Sequence, residues 1–516
     1  MTPIFILENL LKFYTCVEKI GNNIVCRGYK DGEQFIVKEK FSPSLFVETN
    51  KTTKYKNIYG KPLEEMTFES ISDAYDFMKK YEDVENFKLF GMEKWVTQYI
   101  SKKYWDEIKY DSSLIRVCWI DIETDTNRTS KGKYAKPEDP FQPITAVTLI
   151  MGNETVVLGF GDYTPTEKNV KYYKQKDEES LIDSLIEFIS KYKPDVISGW
   201  NSEGYDIPYI INRGAKIVGE ERVRDLSPLR IIKQKTIPTM NGGKVDGYDI
   251  AGVAHLDYML VYKKLSGKSQ SSYRLDHIAE VEIGMKKIDY KKDYGSLEVL
   301  MEKNYPLYMD YNIRDTKLLP MLEEKLKLLE LIYLISYYSR TNFIDVFKNT
   351  RVWDSLIYNY LIARNIVVDI NFESDDKLIA GGHVKDPKPG KYEWVVTIDA
   401  TSLYPHIIMG GNISPEKFIK KVDFDVDKFI EIHASGKTSN GICGFGSIKI
   451  DELKKMNAGI CGNGSIFSND GKGFLPIMME NLFEMRKEYK AKMLDEDRES
   501  QKILEEIKRR GLKIDS

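Results

Sequence analysis

Apolar runs and amphipathic segments alternate along the middle of the chain. The stretches "LIRVCWIDIETD", "ITAVTLIMG" and "ETVVLGFG" are rich in β-branched and apolar residues, which is typical of strands. The stretch "EESLIDSLIEFISKYKPDVISGW" places apolar residues at helical spacing and ends in a run typical of a buried strand. Strands that alternate with helices predict an α/β domain over residues 106–330.

The segments on either side of this region follow other patterns. Over residues 1–105, short apolar runs separated by turns such as "IGNN" precede the helical stretch "SISDAYDFMKKYEDV", which predicts a small α+β domain. Residues 331–375 have a helical pattern, and we expect them to return to this N-terminal domain. Within the α/β region, two strand-like arms around Asn241-Gly242-Gly243 predict a β-hairpin.

The last part of the chain contains the stretch "VVTIDATSLYPHIIMGGNISPE". Its β-branched residues predict a buried strand that ends at Asp399, and the Leu-Tyr-Pro sequence after it predicts a rigid turn. Further on, Pro476 lies near the start of the helical pattern in "IMMENLFEMRKEYKAKML". We expect a second helix to follow and to end at Gly511.

The composition is that of an ordinary globular protein, and it narrows the function classes. The chain has 516 residues, of which 42% are hydrophobic and 30% charged, and its net charge is -3. This charge excludes a protein that coats nucleic acid through a uniformly basic surface, but it permits a local basic groove. The five cysteines form no C-x-x-C pair, which favours reduced thiols and no zinc site. We find no signal peptide and no run of about 18 apolar residues, so we expect a cytoplasmic protein with no membrane span.

Two carboxylates stand out in the predicted strand "VCWIDIETD". Asp121 and Glu123 are two residues apart, so a strand places both side chains on one face, while Ile120 and Ile122 face the core. Adjacent carboxylates at the end of a buried strand repel each other, and bound metal cations commonly offset this repulsion. The alternative is that both lie on the solvated face of an edge strand.

Two further stretches carry acidic residues in a helical setting. In "PDVISGWNSEGYDIPYIINRG", a turn that contains Asn201 leads to Asp206 near the start of a helix, which we expect to end at Gly214. In "YPLYMDYNIRDTKLLPMLEEKL", Tyr311 and Asp315 are four residues apart, so a helix stacks them on one face. The alternatives are that Asp206 is a helix N-cap and that Asp315 is a surface residue near a core tyrosine.

The three stretches together supply four carboxylates and a tyrosine within one α/β segment. They are Asp121, Glu123, Asp206, Asp315 and Tyr311. Two-metal phosphodiester hydrolysis requires such a set, because one ion generates hydroxide and a second, roughly 4 Å away, stabilises the leaving oxygen. A tyrosine hydroxyl beside a metal-bound carboxylate can orient the attacking water. We therefore predict a catalytic site for two Mg²⁺ or Mn²⁺ ions.

These stretches resemble the Exo I, Exo II and Exo III motifs of the DEDDy 3′–5′ proofreading exonucleases, which implies an RNase H-like domain. The stretch "DATSLYPHII" resembles motif A, D-x-x-S-L-Y-P-S-I, of the family B DNA polymerases. The order of the motifs resembles the T-even phage type of this family over essentially the whole chain. The resemblance implies a strand-separating hairpin in the exonuclease domain, a partial palm over residues 376–472 and the start of the fingers over residues 473–516.

The resemblance also implies a role for each matching residue. Asp399 would bind the catalytic magnesium ions, and Tyr404 would close the sugar pocket against a 2′-hydroxyl, which selects deoxynucleotides. The implied contact residues are Ser402, Leu403, Tyr404, Arg486 and Lys490 for the nucleotide, and Asn201, Gly381 and Gly382 for DNA. Without motif A upstream, Arg486 and Lys490 would be an ordinary charged helix face. Ile379 and His406 replace the tyrosine and the serine that are usual in the family.

Motif B, K-x-x-x-N-S-x-Y-G, and the D-T-D of motif C do not occur in the sequence. We therefore predict the N-terminal part of a split replicative polymerase, which binds primer-template DNA, single-stranded DNA and deoxynucleoside triphosphates. A second polypeptide with motifs B and C, and a sliding clamp bound through it, would be the partners. One alternative is a free-standing 3′–5′ exonuclease that retains a palm fragment for DNA binding. The other is a non-enzymatic binding protein, which the intact exonuclease set disfavours. The resemblance implies a phage protein in the host cytoplasm.

Overall fold

The chain forms two compact units. The first comprises Met1–Asn57 with Pro62–Phe372, and the second comprises Ile58–Lys61 with Glu373–Ser516. The computed structural model describes residues 12–85, 87–125, 135–238, 244–370, 386–423 and 450–510. Gly381, Gly382 and the hairpin turn at residues 241–243 lie outside the described residues.

The strands follow the alternating and β-branched stretches of the sequence. In the first unit they are β1 (Lys12–Ile20), β2 (Asn23–Lys30), β3 (Glu33–Lys40), β4 (Ser44–Glu48), β5 (Tyr55–Asn57), β6 (Pro62–Thr67), β7 (Leu89–Gly91), β8 (Val117–Thr124), β9 (Ile144–Met151), β10 (Glu154–Gly159), β11 (Val170–Lys174), β12 (Val196–Ser198), β13 (Ile232–Pro238), β14 (Lys244–Ile250), β15 (Ala254–His255) and β16 (Ile366–Val367). In the second unit they are β17 (Phe418–Lys421), β18 (Ala458–Ile460) and β19 (Ser465–Ser468).

The helices follow the amphipathic stretches. In the first unit they are α1 (Ile71–Tyr81), α2 (Trp95–Lys103), α3 (Glu178–Tyr192), α4 (Asp206–Ile217), α5 (Glu220–Val223), α6 (Tyr258–Leu265), α7 (Leu275–Ile283), α8 (Lys291–Tyr294), α9 (Leu297–Lys303), α10 (Tyr305–Leu326), α11 (Leu328–Ser339) and α12 (Asn349–Ile362). In the second unit they are α13 (Leu403–Gly410), α14 (Ile450–Lys455) and α15 (Phe474–Arg509). This mixed α/β, multidomain architecture confirms the predicted class.

A six-stranded sheet organises the predicted α/β region. Its strand order is β11-β10-β9-β8-β12-β15, so β8 has a neighbour on each side. β8 pairs antiparallel with β9 and parallel with β12. A strand that is hydrogen-bonded on both sides is held in register, and the direction of each of its side chains is thereby set. β12 pairs with residues 117–119 of β8, and Asp121 and Glu123 pair with β9. Because β8 is an internal strand of the sheet, the alternative of an edge strand is wrong.

Helices cover both faces of this sheet. On one face, α3 and α4 pack against Ile120 and Ile122, which are buried as the alternation predicted. On the other face, α10 packs through Tyr308, Met309 and Ile313. Because strand side chains alternate between faces, the carboxylates of β8 emerge on the face that α10 covers.

The N-terminal part of the first unit contains two further sheets. β1, β2 and β3 form an antiparallel sheet, and the second sheet has the order β16-β5-β6-β4-β7. Its edge strand β16 comes from the far end of the unit and pairs parallel with β5, with Ile366 opposite Lys56. Ser70 caps α1 by accepting a hydrogen bond from the backbone N–H of Asp73, as expected of a helix that starts after serine.

The second unit differs from the sequence prediction in three places. Residues 395–399 do not form the predicted buried strand: Val396 is 81% exposed and Ile398 is 91% exposed. A strand requires a hydrogen-bonded neighbour, and none of the described residues pairs with this segment. The predicted Leu-Tyr-Pro turn is instead the first turn of α13. A proline is tolerated there because the first backbone N–H groups of a helix have no acceptor within the helix.

The third difference is in the last helix. The two predicted helices are one helix, α15, of 36 residues. No proline or glycine occurs between Pro476 and the end of the helix at Arg509, and ion pairs three or four residues apart support the middle of the helix. Among these, Lys492 lies 2.7 Å from Glu488, and Arg498 lies 3.1 Å from Asp495. None of the helices in the described ranges is long and apolar enough to cross a membrane.

Candidate metal centre and nucleotide site

Asp121 is held in place from the helix that covers its face of the sheet. Its Oδ2 accepts a hydrogen bond of 2.7 Å from the side-chain amide of Asn312 on α10. The amide oxygen of Asn312 in turn accepts a hydrogen bond of 2.5 Å from the hydroxyl of Thr148 on β9. Asn312 is fully buried, so these two contacts determine the direction of the Asp121 carboxylate.

Asp206 reaches the same place from α4. It is the first residue of that helix and is not the N-cap, which is Tyr205. Its Oδ1 accepts a hydrogen bond of 3.2 Å from the backbone N–H of Ile122, the residue between the two carboxylates of β8. The helix also continues past the predicted end at Gly214 to Ile217. Gly214 packs against α5, where a Cβ would lie 2.9 Å from Val223.

Asp315 and Tyr311 lie on one face of α10, as their spacing predicted. Lys287, from the segment between α7 and α8, forms an ion pair with Asp315. Its Nζ also donates a hydrogen bond of 3.4 Å to the hydroxyl of Tyr311. The ring of Tyr290 packs edge-on against that of Tyr311, with 5.1 Å between centroids. The phenol is therefore held from two sides next to the carboxylates.

The carboxylates form a cluster that fits divalent cations. Asp121, Glu123 and Asp315 each present an oxygen, and these oxygens lie within 4.8 Å of one another. Asp206 is adjacent through its bond to the strand. Oδ1 of Asp315 is buried and accepts no hydrogen bond from the described residues. Buried polar atoms normally have a partner, so this oxygen fits the role of a metal ligand. Oxygen donors of this kind are what Mg²⁺ and Mn²⁺ prefer.

Burial and mutual repulsion raise the pKa values of these groups. Burial, followed by repulsion from Asp315, raises the pKa of Glu123 to about 8. Burial also raises the pKa of Asp206 to about 7, and burial with Asp206 and Glu123 nearby raises the pKa of Asp121. The positive charge of Lys287 opposes each rise in pKa. A divalent cation would relieve the same repulsion.

The turn before α4 is fixed by Asp257. This carboxylate accepts hydrogen bonds from the backbone N–H groups of Asn201, at 3.1 Å, and Glu203, at 3.0 Å. It also caps α6 through the N–H of Met259 at 2.9 Å. Asn201 has a positive φ of 63° and is exposed, so its side chain is accessible close to Asp206. Its contact with DNA stays a prediction.

In the second unit, the structure brings together part of the predicted nucleotide site. Nη1 of Arg486 donates a hydrogen bond of 3.5 Å to the hydroxyl of Ser402, because α13 packs against α15. The ring of His406 contributes to this packing by contacting Phe483 edge-on, with 4.7 Å between centroids. Lys490 lies one helical turn beyond Arg486 and is exposed.

The other predicted residues of this site lie at the surface. Asp399, Leu403 and Tyr404 are exposed, Tyr404 by 75%. Among the described residues, no cluster of three potential metal ligands includes Asp399, and neither Asp399 nor Lys490 forms an ion pair.

Sequence reasoning missed three residues that hold the carboxylate cluster and its neighbouring turn in place: Asn312, Lys287 and Asp257. Asn312 lies three residues before Asp315, so helical spacing alone could have placed it on the same face. No comparable signal exists for Lys287 or Asp257, because each reaches its partners across a tertiary contact far along the sequence.

Similarity to known proteins agrees with the motifs and the carboxylate cluster. The family described as "DNA polymerase family B, exonuclease domain" matches residues 70–278, and the family described as "DNA polymerase family B" matches residues 341–516. The chain therefore belongs to the family B DNA polymerases and carries an exonuclease domain and a polymerase domain of that family. This confirms the family that the motifs predicted.

Two of the relatives come from phages. The chain is 30% identical over 545 residues to the DNA-directed DNA polymerase of Escherichia phage RB69, an alignment that covers 98% of this chain and 56% of the relative. It is also 30% identical over 515 residues to the DNA-directed DNA polymerase of Enterobacteria phage T4, with 95% of this chain and 55% of the relative covered. The catalytic subunit of DNA polymerase delta from Candida albicans is 24% identical over 408 residues. The chain spans somewhat more than half the length of the two phage polymerases.

Proposed function

We propose that the chain is the N-terminal part of a replicative, DNA-directed DNA polymerase, and that its first unit contains a 3′–5′ proofreading exonuclease domain with an RNase H-like fold. One observation carries this proposal. Four carboxylates converge beside Tyr311 from β8, α4 and α10, three elements that are far apart in the sequence. Phosphodiester hydrolysis with two metal ions is the chemistry that such a set performs.

Each residue of the cluster has a role in this proposal. Asp121, Glu123 and Asp315, with Asp206 beside them, would hold two Mg²⁺ or Mn²⁺ ions. Bound ions of this kind activate a water molecule and stabilise the leaving oxygen. The hydroxyl of Tyr311 would orient the attacking water by hydrogen bonding.

Two neighbouring side chains would support this chemistry. Asn312 keeps the Asp121 carboxylate aimed at the cluster through its 2.7 Å hydrogen bond. Lys287 positions the Tyr311 hydroxyl and offsets part of the negative charge of the cluster. A carboxylate held by a buried neighbour keeps its ligand geometry without reorganisation, which favours metal binding.

The burial of the cluster indicates the form of DNA that it would accept. Asp206 and Asp315 are buried, and the cluster lies between the sheet and its covering helices. Such a recessed site suits the end of one flexible strand better than the end of a wide, stiff duplex. We therefore propose single-stranded DNA, or a 3′ end freed from its template, as the substrate, with Asn201 as a contact.

The second unit would supply part of a polymerase site. Asp399 would be a metal ligand, Tyr404 would select the deoxyribose, and Ser402 and Leu403 would contact the nucleotide. Arg486 and Lys490 would bind the triphosphate of the incoming nucleotide, and the contact of Arg486 with Ser402 supports this role. Gly381 and Gly382 would contact the template.

We propose that synthesis requires further residues from outside these 516 positions. One carboxylate is insufficient for two ions and a triphosphate, so a polypeptide segment with motifs B and C is needed. A separate second polypeptide, which would also carry the contact to a sliding clamp, stays our prediction for the source of that segment. This chain and the second polypeptide would act in the cytoplasm of a phage-infected cell.

Degradation of single-stranded DNA by the purified 516-residue chain tests the nuclease proposal. With Mg²⁺, a 5′-labelled strand should shorten from its 3′ end, and Asp121→Ala should slow this at least about 100-fold, a barrier change of about 2.7 kcal/mol. Asp162→Ala is a matched control, because Asp162 is a surface aspartate of the same unit paired with Lys174. Undiminished degradation by Asp121→Ala would overturn the proposal.

A further inference from the structure

The carboxyl ends of β12 and β15 lie side by side at one edge of the six-stranded sheet, because the two strands pair in parallel. After β12 the chain turns towards Asp206, and after β15 it enters α6 directly behind Asp257. The backbone N–H of Tyr258 donates a hydrogen bond of 2.8 Å to the carbonyl of Gly199. The two connections therefore stay in contact beyond the ends of their strands.

Asp257 joins the two connections through its side chain. The carboxylate is buried and accepts hydrogen bonds from backbone N–H groups on both sides. Asn201 at 3.1 Å and Glu203 at 3.0 Å donate from the turn, and Met259 at 2.9 Å and Leu260 at 3.4 Å donate from α6. Hydrogen bonds to an ionised acceptor are stronger than those between neutral groups. The turn is thereby tied to the first turn of α6.

Within this turn, the backbone of Asn201 is fully engaged. Its φ of 63° lies in the left-handed region, which asparagine tolerates better than most residues. Its N–H donates to Asp257, and its carbonyl accepts hydrogen bonds from the N–H groups of Gly204 at 3.1 Å and Tyr205 at 3.0 Å. The side chain of Asn201 is exposed. The turn therefore fixes the backbone of a residue whose amide remains open to solvent.

Gly204 leaves room for that amide. A Cβ at position 204 would lie 2.9 Å from Oδ1 of Asn201. The amide of Asn201 therefore lies close against the turn, two residues before Asp206. An amide offers both hydrogen-bond donors and an acceptor, so it can bind the phosphates, sugars or base edges of a DNA strand.

We propose that Asp257 is a positioning residue for DNA, which holds the amide of Asn201 where it binds the strand that enters the carboxylate cluster. This inference rests on the proposed exonuclease function. The hydrogen bonds of Asp257 go to backbone groups, while α4, which carries Asp206, is held separately by buried residues such as Ile207 and Tyr209. Disturbing Asp257 should therefore weaken the affinity for DNA and leave metal binding and the chemical step nearly unchanged.

The test uses single-turnover excision of single-stranded DNA by the 516-residue chain. Varying the protein concentration gives the apparent Kd for DNA and the maximal rate separately. Asp257→Asn keeps a good N-cap for α6 but replaces one acceptor of the turn by an NH₂ group. We expect the Kd to rise about fivefold, with the maximal rate and the half-saturating Mg²⁺ concentration within about twofold of the unsubstituted chain.

Two further variants test whether Asp257 acts through Asn201. Asn201→Gly removes the amide and keeps a backbone that adopts the same φ, so it should also raise the Kd about fivefold. The double variant with Asp257→Asn should bind DNA no more weakly than Asn201→Gly alone. Gly204→Ala crowds the amide without changing Asp257. It should raise the Kd in the unsubstituted chain but not in Asn201→Gly, which tests the role of the amide even if Asp257→Asn does not fold.

The matched control is another aspartate at the start of a helix. Asp177 caps α3 by accepting a hydrogen bond of 2.9 Å from the N–H of Ser180, and Asp177→Asn should leave the Kd and the rate within about twofold. An unchanged Kd in Asn201→Gly, additive effects in the double variant, or a loss confined to the rate or to Mg²⁺ affinity would overturn the positioning role. Absence of excision by the unsubstituted chain would instead overturn the exonuclease proposal.

Discussion

The side-chain amide of Asn312 donates a 2.7 Å hydrogen bond to the carboxylate of Asp121. This contact joins the central strand β8 to the helix that covers it, and it spans 191 residues of sequence. It gives Asp121 a defined direction, so the geometry of the carboxylate cluster depends on an amide residue outside that cluster.

We therefore expect Asn312→Ala to weaken Mg²⁺ binding and exonuclease activity by about 10- to 100-fold each. The substitution leaves Asp121 free to rotate away from the cluster, while all four carboxylates remain. Mg²⁺ titration of activity would measure the effect. Thr316→Val is the matched control, because the Thr316 hydroxyl donates a buried hydrogen bond of 3.0 Å to the backbone carbonyl of Asn312, and its loss leaves the side-chain contact of Asn312 with Asp121 in place. Equal effects of both substitutions would indicate general damage to the helix.

Tyr311→Phe should have a milder effect than Asp121→Ala. It removes the hydroxyl that would orient the attacking water and keeps the ring that packs against Tyr290. We expect a lower kcat on single-stranded DNA with nearly unchanged affinity for Mg²⁺, measured by metal titration of the rate. A collapse in metal affinity would show that the tyrosine has a structural role instead.

The stability of the metal-free chain should depend on pH through the carboxylate cluster. The pKa of Glu123 is raised from 4.5 to about 8 on folding, so the folded chain holds more protons than the unfolded chain between these values. The free energy of unfolding should therefore fall as the pH rises from about 4.5 to about 8. Thermal unfolding in the presence of a chelator would measure this fall.

Added Mg²⁺ should oppose that loss of stability, because a cation binds the deprotonated carboxylates. The gain in Tm from Mg²⁺ should be small at about pH 6 and larger at about pH 8.5. In Glu123→Gln the pH dependence of this gain should be reduced. A gain in Tm that is the same at both pH values would contradict the assignment of the cluster as a metal centre.

Asp195 should be among the most sensitive positions for stability in the first unit. It is buried, lies 3.5 Å from the guanidinium of Arg27, and accepts hydrogen bonds from the hydroxyl of Tyr29 at 2.7 Å and the backbone N–H of Arg116 at 3.0 Å. Asp195→Ala would leave a buried cation and other donors without their acceptor. We expect a loss of about 3–5 kcal/mol in the free energy of unfolding, measured by denaturant titration.

The control for this prediction is an exposed ion pair at the end of α3. Lys191 pairs with Glu187 four residues earlier, and both side chains are at least half exposed. Lys191→Ala should change the free energy of unfolding by no more than about 0.5 kcal/mol. A comparably small effect of Asp195→Ala would show that its network contributes little to joining β1–β3 to the rest of the unit.

Primer extension would test the polymerase site in the second unit. We expect no meaningful extension by this chain alone, and extension when a polypeptide with motifs B and C is added. In that mixture, Asp399→Ala should abolish incorporation while leaving the exonuclease largely intact, and Tyr404→Ala should admit ribonucleotides. Robust extension by the chain alone would overturn the need for a second polypeptide. A mixture that stays inactive with a motif-B and motif-C partner encoded by the same genome would overturn the proposal of a split polymerase.

The sequence by itself determined the local features of this protein. Period-two alternation placed Asp121 and Glu123 opposite the buried Ile120, and four-residue spacing placed Tyr311 and Asp315 on one helix face. These patterns arise within a single element, where backbone geometry alone relates the side chains. Joined with the motif strings, they were also sufficient to predict the family.

Only the tertiary structure decided which residues hold the carboxylate cluster and the β13–β14 hairpin in place. Lys287 meets Asp315, and Lys235 meets Glu203, across segments whose relative placement depends on packing and leaves no periodic trace in the sequence. The same reason explains the error at residues 395–399. β-Branched residues favour an extended backbone, but a strand forms only where another segment supplies its hydrogen bonds, and tertiary structure determines where that segment lies.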